Sequence, residues 1–576
     1  MKLKLIFLLA LSCVLLTGLL GQYNEKDILL QQANTQMAQR QYTQAEQLYL
    51  QVLQKFPNDL NTVLQLTNLY FSLSQTDKAE KLLLDNQRII PAQMWQEQHI
   101  QLLVLKAEVN NAWQESMAYL DANNHDENKY RQIASYFARK GFNDKVLELY
   151  QMARVKLTNP ELFRLEIANT SMLNRMFELS IKEYLSHLEK NPVNLFFVSN
   201  QLKTMLQEDS TLIIVVQEFA GKNPNITVQE AYANSLVYLA KYSEALQIYK
   251  KMDLPKLYRF AEELIASGND NVAYQAYDYI STIEKDSLKA ADLAYRRANI
   301  RFLQADFTST ETILREAINL PLWKDRSLSL RSQVGMKLRK LMADNSLALG
   351  EPADSALAWL EKAKTFGRDN LEKQSIDLEI ARLLIMTGER NRAVSIIAAT
   401  NQPALNENRD YLHFLTALLW GEIEIADSLM NEYIIKYPAS ANANDAIYLN
   451  MLTLGMEEAD QKVFFNAIRL LQMNNESGLD SLELVFQHNK DEELRLLAIE
   501  WSLGFGNIVR AIKLLDYEFS DPVAQEYAQL LQFLVTKDKD EQQRIAKEFL
   551  KEKPNSIFSP NFRQKISRMA SPKPNL

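Results

Sequence analysis

A small residue that returns at fixed distances constrains this chain more than any other feature. In "TQAEQLYLQVLQKFPND" the residues Ala45, Tyr49 and Pro57 stand in the same order as Ala79, Leu83 and Pro91 in "DKAEKLLLDNQRIIP", displaced by 34 positions. A second small residue precedes each such alanine by 12 positions, giving the pairs Ala33 with Ala45, Thr67 with Ala79, Ala168 with Ser180, Ala233 with Ala245, Ala261 with Ala273, Ala298 with Thr310 and Ala381 with Ala393. Two antiparallel helices joined by a short turn come close only where the side chains at their crossing are small. Spacings of four and three, as in Ala45, Tyr49 and Val52, draw an apolar stripe along the second helix. One hairpin cannot bury that stripe alone, so successive hairpins must stack. Proline then stops the second helix, at Pro57, Pro91, Pro192, Pro224, Pro438 and Pro554.

The pattern resembles the tetratricopeptide repeat, whose 34-residue unit carries this small residue, later alanine, aromatic and closing proline. Residues 25–91, 127–192 and 226–282 carry the resemblance, with "YLAKYSEALQIYKKM" a good match to the second half of the unit; it loosens from Lys324 onward, where first helices lengthen. The resemblance implies an all-α, right-handed superhelical solenoid of stacked antiparallel helix hairpins, roughly 14 or 15 of them between residues 22 and 554. The expected segments are 1–21, a signal peptide or membrane anchor; 22–323, an N-terminal superhelix; 324–554, more degenerate repeats; and 555–576, a basic and poorly ordered tail. Composition agrees with helices joined by short turns, since only 14 glycines and 15 prolines occur among 576 residues.

Met1-Lys2-Leu3-Lys4 leads into an apolar run to about Leu20, followed by the small residue Gly21, which reads as an export signal. The chain is therefore expected in the periplasm or cell envelope of a bacterium, with membrane contact only through this segment if it stays uncleaved. The single cysteine, Cys13, lies inside it, and Ala10-Leu11-Ser12-Cys13 loosely resembles a lipid-attachment site. Removal of the segment leaves no thiol for disulfides, nucleophilic catalysis or metal binding. A net charge of −8 excludes the broad cationic field on which nucleic-acid binding depends.

No metal or cofactor is expected. His99, His125, His187, His413 and His488 are scattered, with His187 and His413 expected at a helix interior or edge, and no phosphate-cradling glycine loop or nucleophile elbow occurs. The expected role is a non-enzymatic scaffold for a protein or peptide. Asparagine directly follows the first small residue in five units, at Asn34, Asn68, Asn169, Asn234 and Asn299. The resemblance places that position on the concave side, where peptide-binding members of the family hold ligand backbone or carboxylate groups with asparagine. An amide supplies donors and an acceptor together, so it can pair with an extended backbone without reading side chains. Leu30, Leu64, Leu165, Glu230 and Tyr295 stand four positions earlier, which argues against a carboxylate clamp built on lysine or arginine. Two alternatives stay open: a carbohydrate-binding envelope protein, to which exposed Trp95, Trp323 or Trp420 would point, and a helical enzyme using a carboxylate pair. Tyr49, Tyr184, Tyr249 and Tyr277 are expected in the core.

Overall fold

The computed structural model describes residues 25–324 and 329–570. Among these residues every regular element is a helix, and consecutive helices pair as antiparallel hairpins. The export segment with Cys13, and residues 571–576, lie outside the described residues. No helix among the described residues is long and apolar enough to cross a membrane.

The six small-residue pairs that lie within one compact unit sit where the packing argument requires. Every member of the seven pairs, from Ala33 and Ala45 to Ala381 and Ala393, is completely buried. Two of the hydroxyl members bond across the crossing itself, Ser180 Oγ donating to the Ala168 carbonyl at 2.8 Å and Thr310 Oγ1 to the Ala298 carbonyl at 3.4 Å, while Thr67 Oγ1 donates within its own helix to the Val63 carbonyl at 2.8 Å. The same register extends to hairpins with only one small member, such as Ile100 with Ala112, Ala134 with Val146, Phe414 with Ala426 and Ile499 with Ala511, all buried. One alanine suffices to admit a larger partner across the crossing, and such hairpins escape a search for paired small residues.

The turn inside each hairpin is equally regular. Seven positions after the first crossing residue the backbone turns left-handed, at Arg40, Ser74, Ala107, Gly141, Arg175, Gly268, Ala305, Gly388, Gly421 and Gly506. The following residue's N–H reaches back to the first helix, as Gln41 to the Gln36 carbonyl at 2.9 Å and Glu389 to the Leu384 carbonyl at 2.8 Å. This closure satisfies carbonyls that the helix end would leave unpaired. Glycine adopts the conformation without penalty, yet several hairpins use arginine, serine or alanine there. That choice explains how so many turns coexist with so few glycines.

Between hairpins the proline acts as expected in five of six places. Helices Tyr42–Lys55, Phe177–Lys190, Ile213–Lys222, Ile423–Lys436 and Lys539–Glu552 each end two residues before a proline. The intervening residue leaves the helical region, with φ between −127 and −131°. Pro91 differs: helix Thr76–Asp85 has already ended, and Pro91 caps the start of Ala92–Leu105.

The chain divides into two compact units between Leu239 and Ala240, and not at 323/324. Packing is continuous across residues 323 and 324. Leu314, Ala317 and Trp323 share one buried cluster with Val334, Leu338 and Phe366, so the core runs through that point without a break. In the second unit the first helices do lengthen, to 20 residues in Ser329–Ala348 and 18 in Asn370–Thr387. Ser559–Ala570 is a helix whose Phe562 is fully buried, stacked on Phe549 at 4.3 Å between ring centroids and edge-on to Phe533. That aromatic contact outweighs the polar composition of the segment.

Candidate functional site

The five asparagines do not share one cavity. Asn34 lies in a cleft of about 590 Å³ between helix 25–38 and helix Leu60–Ser72, together with Gln31, Asn61 and Gln65. Asn169 lies in another, of about 560 Å³, with Leu173, Phe177, Gln201 and Thr204. Asn68 is exposed on Leu60–Ser72, Asn234 is half-buried and donates to Ser199 Oγ at 3.4 Å, and Asn299 is half-buried on Ser287–Leu303. None of these three lines a cavity described in this section.

Sequence reasoning missed an interaction that occupies half of the asparagine chemistry. Tyr49 Oη donates to Asn34 Oδ1 at 2.8 Å, and Tyr184 makes the same bond to Asn169. Each tyrosine follows its asparagine by 15 positions. At the matching place in a later hairpin Glu262 accepts from Tyr277 at 2.7 Å. The tyrosine is core, as expected, but its hydroxyl needs an acceptor at the edge of the core, and this position supplies it. The asparagine carbonyl is therefore used internally, which leaves its NH₂ to face the cleft. Beside the Asn34 cleft, Gln65 Nε2 donates to Asn61 Oδ1 at 3.3 Å, and Gln65 Oε1 is buried with no partner within the chain.

A second pattern recurs outside the asparagines: a carboxylate that accepts from a tyrosine and from a cation lying over the same tyrosine's ring. Glu46 accepts from Tyr70 at 2.9 Å and Lys78 at 2.7 Å, with Lys78 Nζ 5.4 Å from the ring centroid. Glu97 accepts from Tyr119 and from Lys129, whose Nζ lies 5.5 Å from that ring. Glu262 does so with Tyr277 and Arg296, and Asp410 with Tyr437 and Lys436, the cation–ring distances being 5.6 and 5.0 Å. Burial works to raise the acids of Glu97 and Asp410, but the cation and hydroxyl bonds outweigh it and hold both below the usual carboxylate range.

Two cavities lie in the second unit. One of about 470 Å³ contains Arg409, Asp410, His413, Glu432 and Lys436, charges of both signs that largely neutralise one another. The other, of about 290 Å³, is lined by Tyr411, Tyr448, Trp501, Asp445, Glu500 and Gln472 together with aliphatic side chains; no lysine or arginine lines it, and the guanidinium of Arg382 donates to Gln472 Oε1 at 2.6 Å. Here Tyr527 donates to Glu500 and Tyr448 donates to Glu493 at 3.1 Å. Burial raises the acid of Glu500, and Asp445 adds to it. Glu493 is likewise raised, by burial first and then by the negative charges of Asp491, Asp521 and Glu500 against the opposing bond from Tyr448.

The histidines are held structurally. His99 bonds Glu115 at 2.7 Å and stacks on Trp95, His125 reaches Asp121 at 3.0 Å, and His488 reaches Asp460 at 3.0 Å. His187 and His413 are half-buried, and burial holds the pKa of each below its ordinary value. Among the described residues no group of three or more histidines, cysteines or acids could hold a metal ion. Trp323 is buried and donates to the Ala317 carbonyl at 2.8 Å, while Trp95 and Trp420 are half-buried against His99 and Arg469. These three form no flat exposed platform.

Residues 36–87 match the tetratricopeptide repeat family. No curated protein matches the chain. Among solved structures, similarity extends to a crystal structure of the APC/C hetero-tetramer Cut9–Hcn1, at 12% identity over 94% of this chain and 96% of that one, with a TM-score of 0.24. It extends also to a structure of Naa15/Naa10 bound to HypK-THB, at 14% identity over 95% and 97%, with a TM-score of 0.21.

Proposed function

We propose that this protein is a non-enzymatic scaffold of the bacterial cell envelope that binds an extended segment of another protein in clefts between the first helices of neighbouring hairpins. The observation that carries the reading is the amide-lined cleft of Asn34, Gln31, Asn61 and Gln65, where a buried acceptor on Gln65 has no partner within the chain. Amides of this kind pair with the N–H and C=O groups of a peptide in any sequence, and a cleft fixed by stacked hairpins pays no ordering cost on its own side. The tetratricopeptide match over residues 36–87 covers all of this cleft's second helix and the last three residues of its first, and supports a protein ligand over a small molecule. The location rests on the charged and apolar run at residues 1–21.

A photo-crosslinking residue at Asn61, introduced into the full chain in cells, tests the binding. Capture of a protein that is lost on Gln65→Ala, and that a crosslinker at the exposed Leu84 does not capture, supports the reading; equal capture at both positions refutes it. Sequencing of the mature amino terminus tests the location, and a cytoplasmic chain that still begins at Met1 refutes it.

A further inference from the structure

The cavity of Tyr411, Tyr448 and Trp501 differs from four tyrosine–carboxylate sites in one respect, which it shares with the pair of Tyr258 and Glu284, bonded at 3.5 Å. At Glu46, Glu97, Glu262 and Asp410 the tyrosine hydroxyl, the carboxylate and a lysine or arginine over the ring occur together. At Glu500 and Glu493 the tyrosine bond is present, but neither acid forms an ion pair among the described residues, and no cation lies over Tyr411, Tyr448, Trp501 or Tyr527. Asp445, on the same wall, is exposed and makes no hydrogen bond or ion pair. Glu500 and Asp445 stand in the cavity wall with Tyr411, Tyr448 and Trp501, and no lysine or arginine is among its lining residues, whereas Tyr527, which donates to Glu500, stacks on Phe558, and Glu493, which accepts from Tyr448, lies outside that wall.

We propose that this cavity, which sets the carboxylates of Glu500 and Asp445 beside the rings of Tyr411, Tyr448 and Trp501, binds the ammonium or guanidinium group of a lysine or arginine side chain on a partner protein. Aromatic faces attract a cation, and the attraction grows when water is excluded. The carboxylates Glu500 and Asp445 supply the opposite charge. At about 290 Å³ the cavity is at the small end of ligand pockets, a size suited to one inserted side chain. Gly504 lies at the wall, with no atom within 4 Å of where a side chain would begin, so the approach to the cavity is open on that side. The site belongs wholly to the second unit and shares no residue with the amide cleft of Asn34, so either can fail without the other. It rests on the scaffold reading only in naming a protein as the source of the cation.

The test is calorimetric titration of the purified full chain with a blocked Gly-Gly-Lys-Gly-Gly peptide, the same peptide with Nε-acetyl-lysine, and free n-butylamine. The expected result is binding of the lysine peptide, at least tenfold weaker binding of the acetylated one, and at least tenfold weaker binding of butylamine. Glu500→Gln and Trp501→Leu are each expected to weaken lysine-peptide binding tenfold or more with unchanged helical circular dichroism. Gly504→Lys, which places a cation at the wall, is expected to abolish binding, whereas Gly504→Ala is expected to retain it. Equal binding of the acetylated peptide, or unchanged binding to Glu500→Gln, overturns the proposal. Butylamine binding as tightly as the peptide overturns the assignment to a protein partner, and absence of any binding at millimolar peptide overturns the site.

Discussion

Tyr184 buries its ring between two helices of one hairpin and donates its hydroxyl to Asn169 on the facing helix, and Tyr49 repeats the arrangement with Asn34. The pair is part of the hairpin's own structure before any ligand arrives. A double-mutant cycle on Tyr49→Phe and Asn34→Ala is expected to give a coupling of about 0.5–1.5 kcal/mol in urea unfolding, the usual net worth of such a bond. Additive effects of the two substitutions would show that the hydroxyl finds water equally well.

The left-handed turn gives a cleaner stability test. Ala107 stands at φ 61° and Gly388 at φ 87° in the equivalent position of their hairpins. Ala107→Gly is expected to stabilise its hairpin by about 1 kcal/mol, because a left-handed residue with a Cβ costs about 1–2 kcal/mol that glycine avoids. Gly388→Ala should do the reverse by a similar amount, since open space surrounds the position and only backbone strain is added. Hydrogen exchange of the flanking helices reads both changes.

Overpacking tests the crossing itself. Ala45 and Ala33 are fully buried at one of the crossings. Ala45→Leu is expected to cost about 1–3 kcal/mol, because the helices must separate or the leucine must leave its preferred rotamer. The same exchange at an exposed position of that helix, Gln51→Leu, should leave the unfolding midpoint unchanged.

A deeper constraint is the fork of Arg154 onto Glu183, with N–O distances of 2.6 and 2.8 Å, while Arg154 Nε also donates to the Leu162 carbonyl at 2.7 Å. Both side chains are largely out of solvent, at 17 and 10% exposure. Glu183→Ala leaves a buried guanidinium unpaired and is expected to destabilise helices Asn143–Lys156 and Phe177–Lys190 by about 3–5 kcal/mol. Loss of amide protection confined to those helices would confirm the local effect, and unchanged protection would refute it.

Acid titration gives a prediction with a definite sign. Asp344 stands at the solvent-exposed edge of helix Ser329–Ala348, where partial desolvation of its carboxyl, with Glu379 nearby, pushes it up to about 6 against the opposing charges of Lys340 and Arg382. A group whose folded pKa is raised binds more protons folded than unfolded, so its contribution is most favourable below the unfolded value and is lost as pH rises through about 6. Asp344→Asn is therefore expected to raise the melting temperature at pH 7.5 and to give no such gain at pH 3.5. An equal gain at both values would show that the carboxyl titrates normally.

Much of the architecture was legible in the sequence because it is set by contacts within one hairpin. The crossing at Ala168 and Ser180 is 12 residues apart and the tyrosine bond at Asn169 and Tyr184 is 15 apart. Hairpins such as Phe414 with Ala426 were harder to see, since one alanine can accommodate a large partner and the composition of the crossing then varies. The burial of Phe562 is not legible in its basic, proline-bearing segment, because it depends on Phe533 and Phe549 in preceding helices.

The amino-acid order alone determined that this chain is a series of helix hairpins, because helical periodicity, small crossing residues and proline stops act over a few turns of backbone. It also placed the asparagines on one register of the first helices. Only the tertiary structure decided which polar groups have partners. Tyr448 meets Glu493 across 45 residues and Tyr527 meets Glu500 across 27, and the absence of a cation beside either acid depends on every helix packed around them. Electrostatic completeness is a property of neighbours in space, and no spacing along the chain encodes it.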